Sequence, residues 1–289
     1  MVTTRRQQKA EASDDSRETL PPAAKRIASR EVEEKHREAL EANKQGRGPG
    51  IEFGHGGVGP CQRAPKQALS AFENPTLDSL LATYGSFPLE ASTLSEPRLP
   101  TPPTLLAHLL NALLSSTRIS HAIASKTLGL LIEAGYTNLE TLEKSTWEER
   151  TEVLTEGGYT HYREKTATEL QKMAEWIRRE CGADLTTVLH HAKLNGEGAG
   201  VKHLVREKMK EIKGFGEVAA DIFFDSAQGV WGELAPFLDL RSQKTAERIG
   251  LPGNADDLFR ILKNSPVDMA RLASALTVVR LEKREHEFE

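Results

Sequence analysis

The chain has 289 residues, 38% hydrophobic and 28% charged, with a formal net charge of −4. That balance belongs to ordinary globular proteins, excludes fibrous and collagen-like classes, and argues against a protein that coats nucleic acid by charge alone. There is no uninterrupted apolar run of membrane-spanning length, and the N-terminal "MVTTRRQQKAEASDDSRETL" lacks the apolar core of a signal peptide, so an intracellular protein without membrane contact is expected.

Residues 1–50 contain no Phe, Tyr or Trp and carry 11 Lys+Arg against 9 Asp+Glu, too little apolar surface to offset the entropy of ordering. The basic clusters "RRQQK" and "AAKRIASR" read either as nuclear-import signals or, the plainer reading, as solvated tail. Residues 46–60, "GRGPGIEFGHGGVGP", hold seven glycines and two prolines and read as a flexible linker. A phosphate-binding loop in "GHGGVG" would need a following Lys-Ser/Thr pair and a preceding strand, and has neither. Residues 1–65 are therefore assigned to a disordered tail and linker, and 66–103, with "FPLEASTLSEPRLPTPPT", to a Pro-rich lead-in.

From Leu105 the pattern changes. "LLAHLLNALLSS" repeats leucine at 105/106, 109/110 and 113/114, the wide stripe of a buried helix. Helical periodicity continues through "SHAIASKTLGLLIEAGY", "NLETLEKSTWEERTEVLTEGG", "YREKTATELQKMAEWIRREC", "DLTTVLHHA", "VKHLVREKMKEIK" and "EVAADIFFDSAQ". It then runs through "RSQKTAERIGL", "NADDLFRILKNS" and the segment from Pro266 onward. No segment alternates like a strand and no fixed repeat holds, so the predicted domain, 104–285, is all-α and not a solenoid. Cys61 and Cys181 stand far apart without partners at ligand spacing; both read as free thiols, and no metal site or cofactor is expected.

The punctuation with most chemical content is "KGFGE". A helix predicted over 201–212 and a second from Glu217 leave very few residues for a reversal, and glycine costs about 1 kcal/mol in a helix, so Gly214 and Gly216 must serve the turn. Such a turn leaves the first amides of the second helix unpaired and facing outward at the positive end of its dipole, a nest suited to phosphate. Phe215 between them is expected to turn inward. From Lys202 to Lys213 there are five Lys+Arg against two Glu, the footprint of sequence-independent backbone binding. The plainer reading is a solvated basic face and an ordinary interhelical turn.

The continuation sharpens this. Ile212, Gly214, Phe215, Gly216 and Ala220, followed by "GELAPFLD" with Asp239 and then Arg248, Ile249, Gly250 and Leu251, resemble the helix-hairpin-helix DNA glycosylase superfamily. "LLAHLLNALLSST" is similar to that family's first core helix, and the likeness covers roughly residues 100–285. The resemblance implies two helical subdomains with a groove between them acting on double-stranded DNA; a monomer is expected, in the nucleus if the basic tail clusters work as import signals. It assigns backbone contacts to Lys210, Lys213, Gly214, Phe215, Gly216 and Val218. Thr117 and Arg118 fall where the gap left by a flipped base is filled. Tyr159 and Tyr162 fall where a flipped base stacks, and Asp239 is the catalytic carboxylate that stabilises charge on the sugar and activates water. The plainer reading of Asp239 is a helix N-cap. Val218 stands where bifunctional members carry a nucleophilic lysine, so strand cleavage through a Schiff base is not expected. The family's four-cysteine cluster is missing, since no cysteine follows Cys181. The segment from Val230 to Phe237 is about three residues longer than in typical members. The expected activity is a monofunctional glycosylase of base excision repair; the alternative is a catalytically silent DNA-binding protein. His190 and His191, without carboxylate company, read as surface residues, and Trp147, Trp176 and Trp231 as packing.

Overall fold

A computed structural model describes residues 74–288. The predicted tail, its basic clusters and the glycine-rich linker lie outside the described residues. Those described are helical, with no strand among them.

Twelve helices follow one another: α1 (Pro75–Tyr84), α2 (Pro102–Ser115), α3 (His121–Glu133), α4 (Leu139–Lys144), α5 (Trp147–Glu156) and α6 (Arg163–Cys181), then α7 (Thr186–Asn195), α8 (Ala199–Lys210), α9 (Glu217–Ala227), α10 (Leu240–Arg248), α11 (Ala255–Ile261) and α12 (Pro266–Glu282). Local chemistry sets many boundaries. Asn74, Thr101, Ser120, Asn138, Thr146, Asp239, Asn254 and Ser265 each cap a helix through a side-chain oxygen. The stretch expected as one helix from Asn138 is two. Thr146 starts α5 with a reciprocal capping box to Glu149, and Ser145 in extended conformation ends α4.

Two apolar cores form. The larger joins α2 to α9, with Leu105, Leu109, Leu113, Met173, Val205 and Phe223 at or near zero exposure. The smaller joins α1 to α10, α11 and α12 through Leu77, Leu80, Ile249, Leu258, Met269 and Leu276. Helix α1, within the Pro-rich stretch, thus packs with the last three helices, and Arg271 donates to the Gly85 carbonyl at 2.7 Å. Helix α9 packs on both α2 and α12 and ties the two cores together. Trp176 and Trp231 are buried; Trp147 lies on the surface, its indole N–H donating to Thr168 Oγ1.

Between α2 and α9 sits a fully buried His108, its Nδ1 3.0 Å from Ser226 Oγ and its Nε2 without a hydrogen-bond partner. Burial lowers its pKa to about 3, so it is a neutral core residue at physiological pH.

Candidate functional site

The turn between α8 and α9 occupies residues 211–216, and its two glycines do different jobs. Gly214 has φ +88, the left-handed region where a side chain is strained, and a Cβ there would lie 2.5 Å from the Glu169 carboxylate. Gly216 has φ −90 and ψ −169, extended backbone that any residue adopts, and a Cβ there would meet nothing within 4 Å. The expectation that both glycines are needed for special backbone angles is corrected: only Gly214 is, and Gly216 leaves open space. Phe215 turns inward as expected, edge-on to Phe223 at 6.2 Å.

Helix α9 has no side-chain cap, and its first intrahelical bond is Ala220 N–H to the Gly216 carbonyl. The amides of Glu217, Val218 and Ala219 are thus left without an intrahelical acceptor. They border a cavity of about 440 Å³. Gly214, Gly216 and Val218 line it from the hairpin, Thr117 and Arg118 from the end of α2, and Tyr162, Lys165 and Glu169 from α6. Six of the predicted site residues therefore meet around one hollow.

Their roles in it differ. Arg118 is exposed and makes no ion pair among the described residues. Thr117 is committed inward, its hydroxyl 2.8 Å from the Tyr159 phenol and 3.0 Å from the Leu114 carbonyl it donates to. Tyr159 is fully buried and raised in pKa by that burial, so its ring offers no stacking face, which corrects the expectation for it. Tyr162 is half-buried, lines the cavity and keeps a tilted contact with Tyr159. Val218, 42% exposed, presents an apolar surface at the rim and no nucleophile.

The basic stripe is largely neutralised from within. Arg206 pairs with Asp221 at 2.8 Å and Glu217 at 3.2 Å, and its guanidinium stacks on Phe224 and Phe237. Lys208 pairs with Glu180 and Glu211, and Lys210 with Glu207 and Glu217. Lys202 is turned onto the Pro236 carbonyl at 2.7 Å. Lys213 alone among the five is exposed with no ion pair to the described residues. The phosphate contact expected of Lys210 would have to break two ion pairs first.

Asp239 stands apart from the cavity, which it does not line. Its position is set by the loop before it. The buried Gln228 amide donates to the Phe237 carbonyl and accepts from the Phe237 N–H, both at 3.0 Å, holding the loop against the end of α9. Asp239 then caps α10: Oδ1 accepts from the amides of Arg241 at 2.7 Å and Ser242 at 3.3 Å, and Oδ2 from the Ser242 hydroxyl at 2.5 Å. Its own amide donates to Asp225 Oδ1 at 3.1 Å. The two carboxyl groups are coupled. Burial, reinforced by the neighbouring Asp239 charge, pushes Asp225 well above the carboxylate range. For Asp239 burial acts upward too, but the Ser242 hydroxyl, the Asp225 proton and the two α10 amides outweigh it and bring the pKa below its ordinary value. The two shifts run in opposite directions, Asp225 toward its protonated form and Asp239 toward the carboxylate.

Glu169, Lys165 and Asp225 were not anticipated. Asp225 offers no local signal, since its partner is 14 residues away. Glu169 does offer one: it shares a helical face with Thr166, Leu170, Met173 and Ile177, all buried, so an acidic residue occupies a core position.

The described residues define an all-α protein with a helix-hairpin-helix turn facing a cavity. No protein-family model matches the chain, and no curated protein matches it. Among solved structures it is similar to the H. pylori 3-methyladenine DNA glycosylase (MagIII) bound to 1,N6-ethenoadenine. That likeness covers 72% of this chain and 97% of the other, at 15% identity and a TM-score of 0.46.

Proposed function

We propose that this chain is a DNA N-glycosylase, a monomer that excises a damaged or mismatched base from double-stranded DNA with water as nucleophile, and that its basic N-terminal clusters direct it to the nucleus. The observation that carries this reading is the meeting of a bare glycine hairpin, three unpaired amides and an exposed arginine around one cavity. A glycosidic bond is unreachable inside the base stack, so an enzyme acting on it must hold the backbone while a nucleotide is drawn out. Gly216 and exposed Lys213 supply a grip on phosphate, and the cavity beneath has room for a base. Asp239, whose pKa is lowered against burial by the Ser242 hydroxyl, Asp225 and the α10 amides, is the group for positive charge building on the sugar. Val218 supports hydrolysis without strand cleavage.

The decisive experiment incubates the full chain and an Asp239→Asn variant with duplexes that each carry one altered base, then reveals abasic sites with hot alkali. Alkali-dependent breaks are expected with the wild type, and at least about a hundredfold fewer with the variant, the size of loss typical when a transition-state charge partner is removed. Breaks appearing before alkali would contradict the inference from Val218 that no Schiff-base cleavage occurs.

A second reading, a DNA-binding protein without excision, is favoured by one observation: both Asp239 oxygens are engaged in capping α10 and neither lines the cavity. Binding across the whole panel with no abasic sites would select it. Both readings need the hairpin, and Gly216→Val tests that part alone. Extended backbone and open space at Gly216 leave the melting temperature unchanged, while affinity for any duplex is expected to fall on the order of tenfold, as for loss of a charge-assisted hydrogen bond. Unaltered affinity would remove the hairpin from the interface.

A further inference from the structure

The cavity beside the hairpin contains a feature that a phosphate site would not. Glu169 is only 4% exposed, yet no hydrogen bond from the described residues reaches either carboxylate oxygen, and among them Oε1 is buried without a partner. Lys165, one turn earlier, places its ammonium 3.4 Å from Oε1, but that lysine side chain is 68% exposed and contributes little through solvent. A buried carboxylate lacking hydrogen bonds is costly unless something else satisfies it. Gly214, with no side chain, is what lets the carboxylate approach the hairpin.

The free amides of Glu217, Val218 and Ala219, residues that line the same cavity, are donors. Leu113, Tyr162 and Val218 contribute apolar surface to the same lining. An anion seated here would face the Glu169 charge at close range. A planar heterocycle fits better: ring faces against the apolar surface, an acceptor toward the amides, and N–H groups toward Glu169. A free carboxylate is best matched by two parallel N–H donors side by side, one for each oxygen. Among base edges, that pair is the ring N–H and exocyclic amine of guanine; hypoxanthine keeps only the ring N–H, and uracil and thymine present a single N–H between carbonyls.

We propose that Glu169 is the specificity-determining residue of the hairpin cavity and that the cavity receives guanine-type bases, altered elsewhere on the ring but retaining the ring N–H and exocyclic amine. This rests on the base-binding reading of the cavity. Lys165 then acts as an exposed counter-ion that leaves Glu169 when the base enters, and the phosphate contact is left to exposed Lys213.

The test separates this from excision. Binding of deoxyguanosine and deoxyinosine, which differ only by the exocyclic amine, is followed on the full chain through backbone amide shifts of Gly214, Gly216 and Tyr162, with inorganic phosphate as competitor. Deoxyguanosine is expected to bind about tenfold more tightly than deoxyinosine, a Glu169→Gln variant to lose that preference, and phosphate not to compete. Equal binding of the two nucleosides, binding of neither, a preference unchanged in the variant, or displacement by phosphate would each overturn it. The near-isosteric glutamine keeps the shape of the site, and equal melting temperatures confirm that the variant is folded. Nucleoside preference without excision of any altered base leaves the proposal standing while the glycosylase reading falls. Excision confined to bases lacking the amine does the reverse.

Discussion

Gly214→Ala is expected to lower the unfolding free energy by about 3 kcal/mol, whereas Gly216→Ala changes it by less than about 0.5 kcal/mol. The two positions lie two residues apart in one exposed turn, so exposure does not distinguish them. At Gly214, φ of +88 costs an L-residue about 1–2 kcal/mol, and the new Cβ would fall 2.5 Å from both Cδ and Oε1 of Glu169. Glu169 is itself buried, so moving it away is an overpacking cost of about 1–3 kcal/mol. Gly216 carries neither burden. Urea unfolding of the two variants measures the contrast. Combining Gly214→Ala with Glu169→Ala is expected to recover the steric share and leave the backbone share. Equal losses at both glycines would show that the turn, and not the Glu169 contact, decides the residue.

The second large effect is a loss of stability in mild acid. His108 is neutral in the folded core with a pKa of about 3, against an ordinary value of 6.5 once unfolded. A depressed folded-state pKa contributes stability in full above the unfolded value, and that contribution is lost progressively as pH falls from about 6.5 toward 3. At pH 5 the loss relative to neutrality is about 2 kcal/mol from this residue. Asp225 acts in the opposite sense, because its raised carboxyl pKa favours the folded state as pH falls. The pH dependence of the wild type alone therefore mixes the two. Comparison with His108→Gln, which keeps a partner for Ser226 and does not titrate, isolates the histidine. The variant is expected to be less stable at pH 7.5 and to show a smaller drop between pH 7.5 and 5 by about 2 kcal/mol. An identical drop in both proteins would mean that His108 takes up its proton without unfolding.

Much of the helical architecture could be read from the order of residues, because caps and stripes are local. The division at Ser145 was equally local: Thr146 and Glu149 form the capping box in plain view, although helical periodicity runs through the whole segment. Helix α1 carries its own start signal, Asn74 before Pro75, and apolar residues at 77, 80 and 81. Its proline-rich surroundings obscured them. The basic stripe misled for a different reason. The neutralising partners Glu180, Glu217 and Asp221 sit on α6 and α9, and helical spacing cannot reveal charges brought in by tertiary packing. The hairpin, Phe215 and the cap at Asp239 were legible. The carboxyl pair was not, since the Asp225 contact depends on how Gln228 folds the intervening loop back.

The smaller core has a consequence for the order in which the chain acquires its structure. Its first helix is synthesised some two hundred residues before its last: the Tyr84 hydroxyl meets the Glu287 carboxylate at 2.6 Å across a separation of 203 positions. Loop closure over such a span is slow, while the larger core closes over shorter spans, its most distant helix pair being α2 and α9. As the chain leaves the ribosome, the larger core can assemble while Leu77 and Leu80 still wait, exposed, for α10 to α12. Asp239 begins α10, so the carboxylate end of the site takes shape after the hairpin does. An arrested nascent chain ending before Asp239 would possess the hollow and lack the acid.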